Sequence, residues 1–136
     1  MKKYFYSASL FLLLLACNAQ NGTQEAASTA KAVPQGIQDV DVATFKAKME
    51  NENVVLLDVR TGPEVAAGKI EGALEINVLE DDFQTKVGAL DKDKTYLVYC
   101  KAGSRSAKAC KIMEEAGFKD LYNLKGGFTA WQAAEK

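Results

Sequence analysis

Thr95-Tyr96-Leu97-Val98-Tyr99-Cys100-Lys101-Ala102-Gly103-Ser104-Arg105-Ser106, continuing into Ala107-Lys108-Ala109-Cys110-Lys111-Ile112-Met113, is the stretch on which the reading of this chain turns. Its opening residues form a largely apolar run of strand length and predict a strand buried on both faces. Its closing residues predict a helix. Cys100 therefore stands on a tight loop between a strand end and a helix start, among inward-turned backbone N–H groups and at the positive end of the helix dipole. That field favours thiolate over thiol, and the thiolate is the nucleophile. Arg105 adds a fixed cation. Gly103, Ser104 and Arg105 suit anion binding better than packing. The alternative is a buried structural cysteine beside an ordinary turn.

Working outward from that loop, the flanking sequence alternates in the same way. Toward the N-terminus, Phe83 to Leu90 predicts a helix with Phe83, Val87 and Leu90 on one side, and Leu74 to Val78 a strand. Thr61-Gly62-Pro63-Glu64 has the form of a capping box with Pro63 inside the first turn of a short helix that Gly68 ends. Val54 to Leu57 is a continuous apolar run that predicts a parallel strand, with Asp58-Val59-Arg60 at its carboxyl end. Asp41 can cap a helix carrying Val42, Phe45 and Met49 on one face, after a first strand at Ile37 to Val40. Toward the C-terminus, Gly117 is a natural residue past the end of a helix, Leu121 to Leu124 a fifth strand, and Gly126-Gly127 a turn into a last helix anchored by Phe128 and Trp131.

Strands alternating with helices imply an α/β fold, a five-stranded parallel sheet flanked by helices on both faces. Ligands of such open sheets bind beyond the carboxyl ends of the strands, which is where Cys100, Asp58 and Arg60 fall. No internal repeat is present.

These residues resemble the rhodanese-like sulfurtransferase family in its small single-domain form, from about Gly36 to Trp131. Leu57-Asp58-Val59-Arg60 with Glu64 looks like the first signature. Gly68-Lys69-Ile70-Glu71-Gly72-Ala73 with Ile76-Asn77 looks like the second, with Lys69 where the family usually has histidine. Cys100 to Arg105 looks like the active-site loop, and Leu124-Lys125-Gly126-Gly127 with Trp131 like the closing signature.

The resemblance implies the chemistry. Cys100 thiolate would attack the terminal sulfur of a small anionic donor such as thiosulfate, releasing an anion such as sulfite and leaving a Cys100 persulfide. The N–H groups of Lys101, Ala102, Gly103, Ser104, Arg105 and Ser106 would surround the outer sulfur. A thiol or a protein acceptor, or cyanide in the test tube, would then take it, in ping-pong covalent catalysis. Lys101 and Arg105 would favour anionic donors, although Arg105 could instead turn inward and hold the loop. Asp58 and Arg60 are expected to be structural, tying the neighbouring strand end to the loop. Arg60 pairing with Glu64 or Glu71 is the alternative. Phe128 and Trp131 are expected in the core and Lys69 as a solvated charge.

The loop from Cys100 through Arg105 matches rhodaneses in length. Related dual-specificity phosphatases and arsenate reductases have one residue more and so a roomier cradle, which leaves that reading second-rank. A non-catalytic docking or sensing module would not need Cys100. A persulfide carrier would share the chemistry and differ only in its protein acceptor.

Composition narrows the classes further. Net charge is −1 with signs interspersed, which argues against a nucleic-acid partner. The chain has no histidine, so His-based zinc sites, Ser-His-Asp triads and Cys-His dyads are excluded. No metal or cofactor is expected, and any cysteine must be activated by backbone and cations. Met1-Lys2-Lys3 followed by Leu10 to Leu15 reads as a signal sequence, since a spanning helix needs roughly 20 apolar residues. Leu14-Leu15-Ala16-Cys17 resembles a lipobox. The expected organisation is a lipoprotein signal peptide over 1–16, lipidation at Cys17, a small and polar tether over 17–35 and the rhodanese-like domain over 36–136. Such a protein would face the periplasm from a lipid anchor in the bacterial cell envelope, with Asn18 leaning toward the outer membrane. A disulfide between Cys100 and Cys110 suits an oxidising compartment but not the expected geometry. Cys110 is expected to pack on its helix's apolar face.

Overall fold

The structure, a computed structural model, describes residues 36–136, so the readings of 1–16, 17–35 and Cys17 lie outside the described residues. In chain order the elements are β1 (Gly36–Val40), α1 (Val42–Met49), β2 (Val54–Asp58), α2 (Gly62–Ala66), β3 (Leu74–Glu75), α3 (Phe83–Gly88), β4 (Thr95–Tyr99), α4 (Ser104–Glu115), β5 (Asp120–Leu124) and α5 (Gly127–Ala134). All strand pairings are parallel, and the spatial order is β1-β5-β4-β2-β3. The five-stranded α/β sheet expected from the alternation is thus the one observed.

Period two along the strands sorts the apolar residues into two cores. Leu57, Tyr96, Val98 and Leu121 face α3 and α4, where Phe83, Val87, Ala109 and Met113 meet them. Leu56, Leu97, Tyr122 and Leu124 face the other way, toward Phe45 of α1 and the half-buried Phe128 and Trp131 of α5. Phe45 is wholly buried, edge-on to both Tyr99 and Trp131 at centroid distances of 6.5 and 6.4 Å. Burial of one such side chain contributes about 1.5–3 kcal/mol.

Local signals act as expected at two helix starts. Asp41 accepts from Thr44 N–H at 2.8 Å. Glu64 closes the capping box by accepting from Thr61 N–H and Oγ1. Two elements are shorter than their apolar patterns predict. β3 covers Leu74–Glu75 rather than Leu74 to Val78. It is an exposed edge, and past it the chain follows β2 through only two bonds, Ile76 N–H to Asp58 O and Val78 N–H to Val59 O, while both side chains stay buried. α3 stops at Gly88, because Leu90 N–H turns to Val87 O and closes the helix tightly.

The two strands that flank the centre of the sheet leave it in opposite directions. β2 leads outward to β3, and β4 leads the other way to β5, so the strand order reverses between them. A crevice forms at such a reversal, beyond the strand carboxyl ends. Cys100 immediately follows β4 and opens onto that end of the sheet.

Candidate active site

The loop after β4 is held from behind by α5. A helix leaves its first N–H groups without intrahelical acceptors. Here Phe128 N–H donates to Cys100 O at 2.7 Å and Thr129 N–H to Lys101 O at 3.0 Å. This close approach requires glycine at 127. A Cβ there would collide with Cys100 O and lie 2.6 Å from Lys101 C, and φ is +56°. Because a peptide is planar and trans, fixing Lys101 C=O against α5 turns Ala102 N–H the opposite way, toward the sulfur.

The sulfur itself is recessed, with Cys100 only 1% exposed. Gly103 N–H donates to Sγ at 3.0 Å, a geometry that uses Gly103 at φ +103° as the cap of α4. Ser106 Oγ lies 3.3 Å from Sγ and 3.1 Å from Gly103 O. A hydroxyl has one proton to give. Gly103 O already receives Ala107 N–H and, at 3.4 Å, the Asn123 amide, which leaves the Ser106 proton for Sγ. Burial pushes the Cys100 thiol up. The Ser106 hydroxyl and the N–H groups of Ser106, Gly103 and Ala102 outweigh that and hold it below its ordinary value. Backbone and hydroxyl, rather than a basic side chain among the described residues, therefore lower the thiol pKa.

Ser106 is a donor to the sulfur through both its N–H and its hydroxyl. It is wholly buried beneath the sulfur, because it falls on the inward face of the first turn of α4. Lys101, Ala102 and Ser104 are exposed around the sulfur. Arg105 turns neither inward nor freely outward. Its two terminal nitrogens bond the two oxygens of Glu64 at 2.8 and 2.7 Å, a forked contact that leaves both side chains about a quarter exposed. Arg105, ahead of the Thr61 hydroxyl and N–H, pulls the Glu64 carboxyl down to about 2.

Asp58 and Arg60 do not tie β2 to the cysteine loop directly. In the parallel register Asp58 pairs with Tyr99, so it points to the α1/α5 side, whereas Cys100 belongs to the α3/α4 core. Asp58 instead accepts from Arg60 at Oδ1 (Nε, 2.9 Å; N–H, 3.0 Å) and Oδ2 (NH2, 2.6 Å), and Arg60 also donates to Gly68 O. Among the described residues neither Glu64 nor Glu71 pairs with Arg60 through its carboxylate. The Arg60 guanidinium lies 4.3 Å from the Phe128 ring, so its support reaches the loop through α5. Lys69 is exposed and paired with Glu75.

Cys100 and Cys110 are both free. Burial, with lesser contributions from Asp39, Glu114 and Cys100, pushes the Cys110 thiol up to about 12, so it stays protonated in the core of α4. Three residues matter more than the sequence reading assigned. Glu64 was a helix cap, Gly127 a turn, and Asn123 one member of a strand. Asn123 is nearly buried beside Val98, bonded to Asp39 as well as near Gly103 O. A polar residue inside an apolar parallel strand, next to the strand that carries the cysteine, was the available signal.

A family model described as the rhodanese-like domain matches residues 41–134. A putative sulfurtransferase of Bacillus subtilis is 41% identical over 101 residues, covering 74% of this chain and 95% of that protein. A thiosulfate sulfurtransferase of Shewanella oneidensis is 35% identical over 85 residues, 62% of this chain and 82% of its own. The crystal structure of a rhodanese-like domain protein from Staphylococcus aureus superposes with a TM-score of 0.62 at 33% identity, over 69% of this chain and 90% of the other.

Proposed function

The chain belongs to the rhodanese-like family, and from that premise we propose that it is a sulfurtransferase that carries a sulfane sulfur as a persulfide on Cys100. Relatives that bear the name sulfurtransferase support the activity class. The observation that carries the finer reading is Cys100 at 1% exposure, its sulfur held by the Gly103 N–H and the Ser106 hydroxyl and its thiol pKa lowered by them. A recess of that kind suits a single sulfur atom added to Sγ, whose charge the same N–H groups would stabilise.

The step balances without an outside oxidant or reductant. Cys100 thiolate forms a bond to the terminal sulfur of a donor such as thiosulfate. The donor's sulfur–sulfur bond breaks, and its electron pair leaves with sulfite. Cyanide or a thiol then takes the outer sulfur, and Cys100 leaves as thiolate. Lys101, Ala102 and Ser104 face the donor, and Arg105 frames it through Glu64.

The test uses the full chain in mild detergent, incubated with thiosulfate. Intact mass and thiocyanate release are the readouts, with Cys100→Ser and Cys110→Ser beside the wild type. Gain of one sulfur atom and turnover, both lost only in Cys100→Ser, is the expected outcome. A folded protein that gains no sulfur from any donor would count against the reading and favour the docking module. Lipidation at Cys17 and an envelope location rest on Leu14-Leu15-Ala16-Cys17 following the apolar run. They predict that Cys17→Ser moves the protein from the membrane to the soluble fraction, and an unchanged distribution would argue against them.

A further inference from the structure

Glu64 lies on α2, just past the carboxyl end of β2, and Arg105 on the first turn of α4, just past that of β4. These are the two strands between which the chain's direction across the sheet reverses. The Glu64–Arg105 pair therefore spans the reversal of strand order, beside the loop that carries Cys100. The contact takes up both terminal nitrogens of Arg105 and both oxygens of Glu64, and Oε2 also accepts from Thr61 Oγ1 at 2.8 Å. Among the described residues, Lys101 is the loop's other cation, and it is exposed.

We propose that Glu64 is a specificity-determining residue. By holding the loop arginine, it withholds the cation that a doubly charged donor would use, and so favours singly charged or neutral sulfane-sulfur donors over dianionic ones. The inference rests on the sulfurtransferase reading and deepens it.

The terminal sulfur of any donor meets the same loop N–H groups, so discrimination must come from the rest of the donor. A sulfonate group brings a second full charge to the crevice mouth. That charge must either stay beside the Glu64 carboxylate or draw Arg105 away from it. A donor with one charge, spread toward its terminal sulfur, meets neither demand. Glu64 remains ionised throughout the range in which the reaction runs, since its carboxyl is held down to about 2.

The experiment compares thiosulfate, a dianion, with benzenethiosulfonate, a monoanion. Both give the same Cys100 persulfide, the first releasing sulfite and the second benzenesulfinate. The full chain is assayed with cyanide as acceptor, as wild type and as Glu64→Gln. Glutamine keeps an acceptor for Thr61 and removes the charge. The expected result is a fall of about five-fold in KM for thiosulfate, the size of a contact at this exposure. The KM for benzenethiosulfonate should move by less than about two-fold. The double variant Glu64→Gln with Arg105→Gln should lose the gain, because the freed arginine supplies it. A thiosulfate KM that does not fall, or an equal shift for both donors, overturns the proposal and leaves the sulfurtransferase reading standing. Absence of persulfide from either donor in the wild type overturns both. Far-UV circular dichroism of each variant separates these outcomes from misfolding.

Discussion

Two arginine–carboxylate pairs stand near the loop, similar in chemistry and opposite in setting. In Asp58–Arg60 the side chains are 0% and 3% exposed, and in Glu64–Arg105 they are 27% and 25%. The buried pair is saturated: Asp58 takes four bonds from Arg60, and Arg60 also donates to Gly68 O and, at 3.5 Å, to Glu64 O. Neither group can be left alone there, since an unpaired charge in the interior costs far more than the pair contributes. The outer pair can open, because water replaces either partner at little cost. The same side-chain chemistry is thus a fastening in one place and an adjustable element in the other, and burial is what separates them.

The largest test of that contrast removes one member of the buried pair. Arg60→Met leaves the buried Asp58 carboxylate without its partner, and a loss of about 3–5 kcal/mol is expected in chemical denaturation. Asp58→Asn combined with Arg60→Met should recover part of it. A loss for Arg60→Met no larger than for Glu64→Gln would break the comparison at its root.

Next in size is the link between the buried pair and the loop. Arg60 lies on Phe128, and Phe128 N–H holds Cys100 O. Gly127→Ala inserts a methyl group where the loop backbone already sits. We expect it to part α5 from the loop and to lower kcat/KM about 100-fold, the scale of a small misplacement of reacting groups. Thiocyanate release measures it. Near-normal turnover would mean that the loop keeps its shape without α5.

These residues also show where sequence reading succeeds and where it stops. The strand–loop–helix around Cys100, the Asp41 cap and the Thr61 capping box were legible because each depends on residues close in the chain. The parallel sheet followed from alternation. What was not legible is which face a rim residue takes. Asp58 and Cys100 both lie at strand carboxyl ends, and only the register, with Asp58 opposite Tyr99, sends them to opposite sides of the sheet. The Arg105–Glu64 contact joins two helices 41 residues apart in sequence, so no local pattern could announce it. The end of β3 depended on its lying at the sheet edge, which again is a fact of assembly rather than of local propensity.

Ser106 sharpens the comparison on a single helix turn. It is buried against Sγ, whereas its neighbour Arg105 is turned to Glu64. A neutralised arginine should do little for the thiolate, and a directed hydroxyl should do more. Ser106→Ala is expected to raise the Cys100 pKa by about one unit, the worth of one hydrogen bond to a charged group. Arg105→Gln should raise it by less. The pH dependence of iodoacetamide alkylation reports both. A larger shift for Arg105→Gln would show that the outer pair reaches the nucleophile after all.

The smallest effect concerns acid stability, and its sign follows from the outer pair alone. Arg105, with Thr61 assisting, lowers the folded-state pKa of Glu64 to about 2 from an ordinary 4.5. A depressed carboxyl binds its proton less readily in the folded state. Its contribution is therefore fully present above about pH 4.5 and is lost as pH falls from there toward about 2. Glu64→Gln has no such proton to bind. The stability difference between wild type and Glu64→Gln should stay level from neutral pH down to that window and shrink within it. Solvent at a quarter-exposed site keeps the whole difference below about 1 kcal/mol, and added salt should narrow it further. Denaturation midpoints of the two proteins, measured against pH at low and high salt, would show this. A difference that grows on acidification would mean that Glu64 binds its proton more readily in the folded state, and that Arg105 does not hold it.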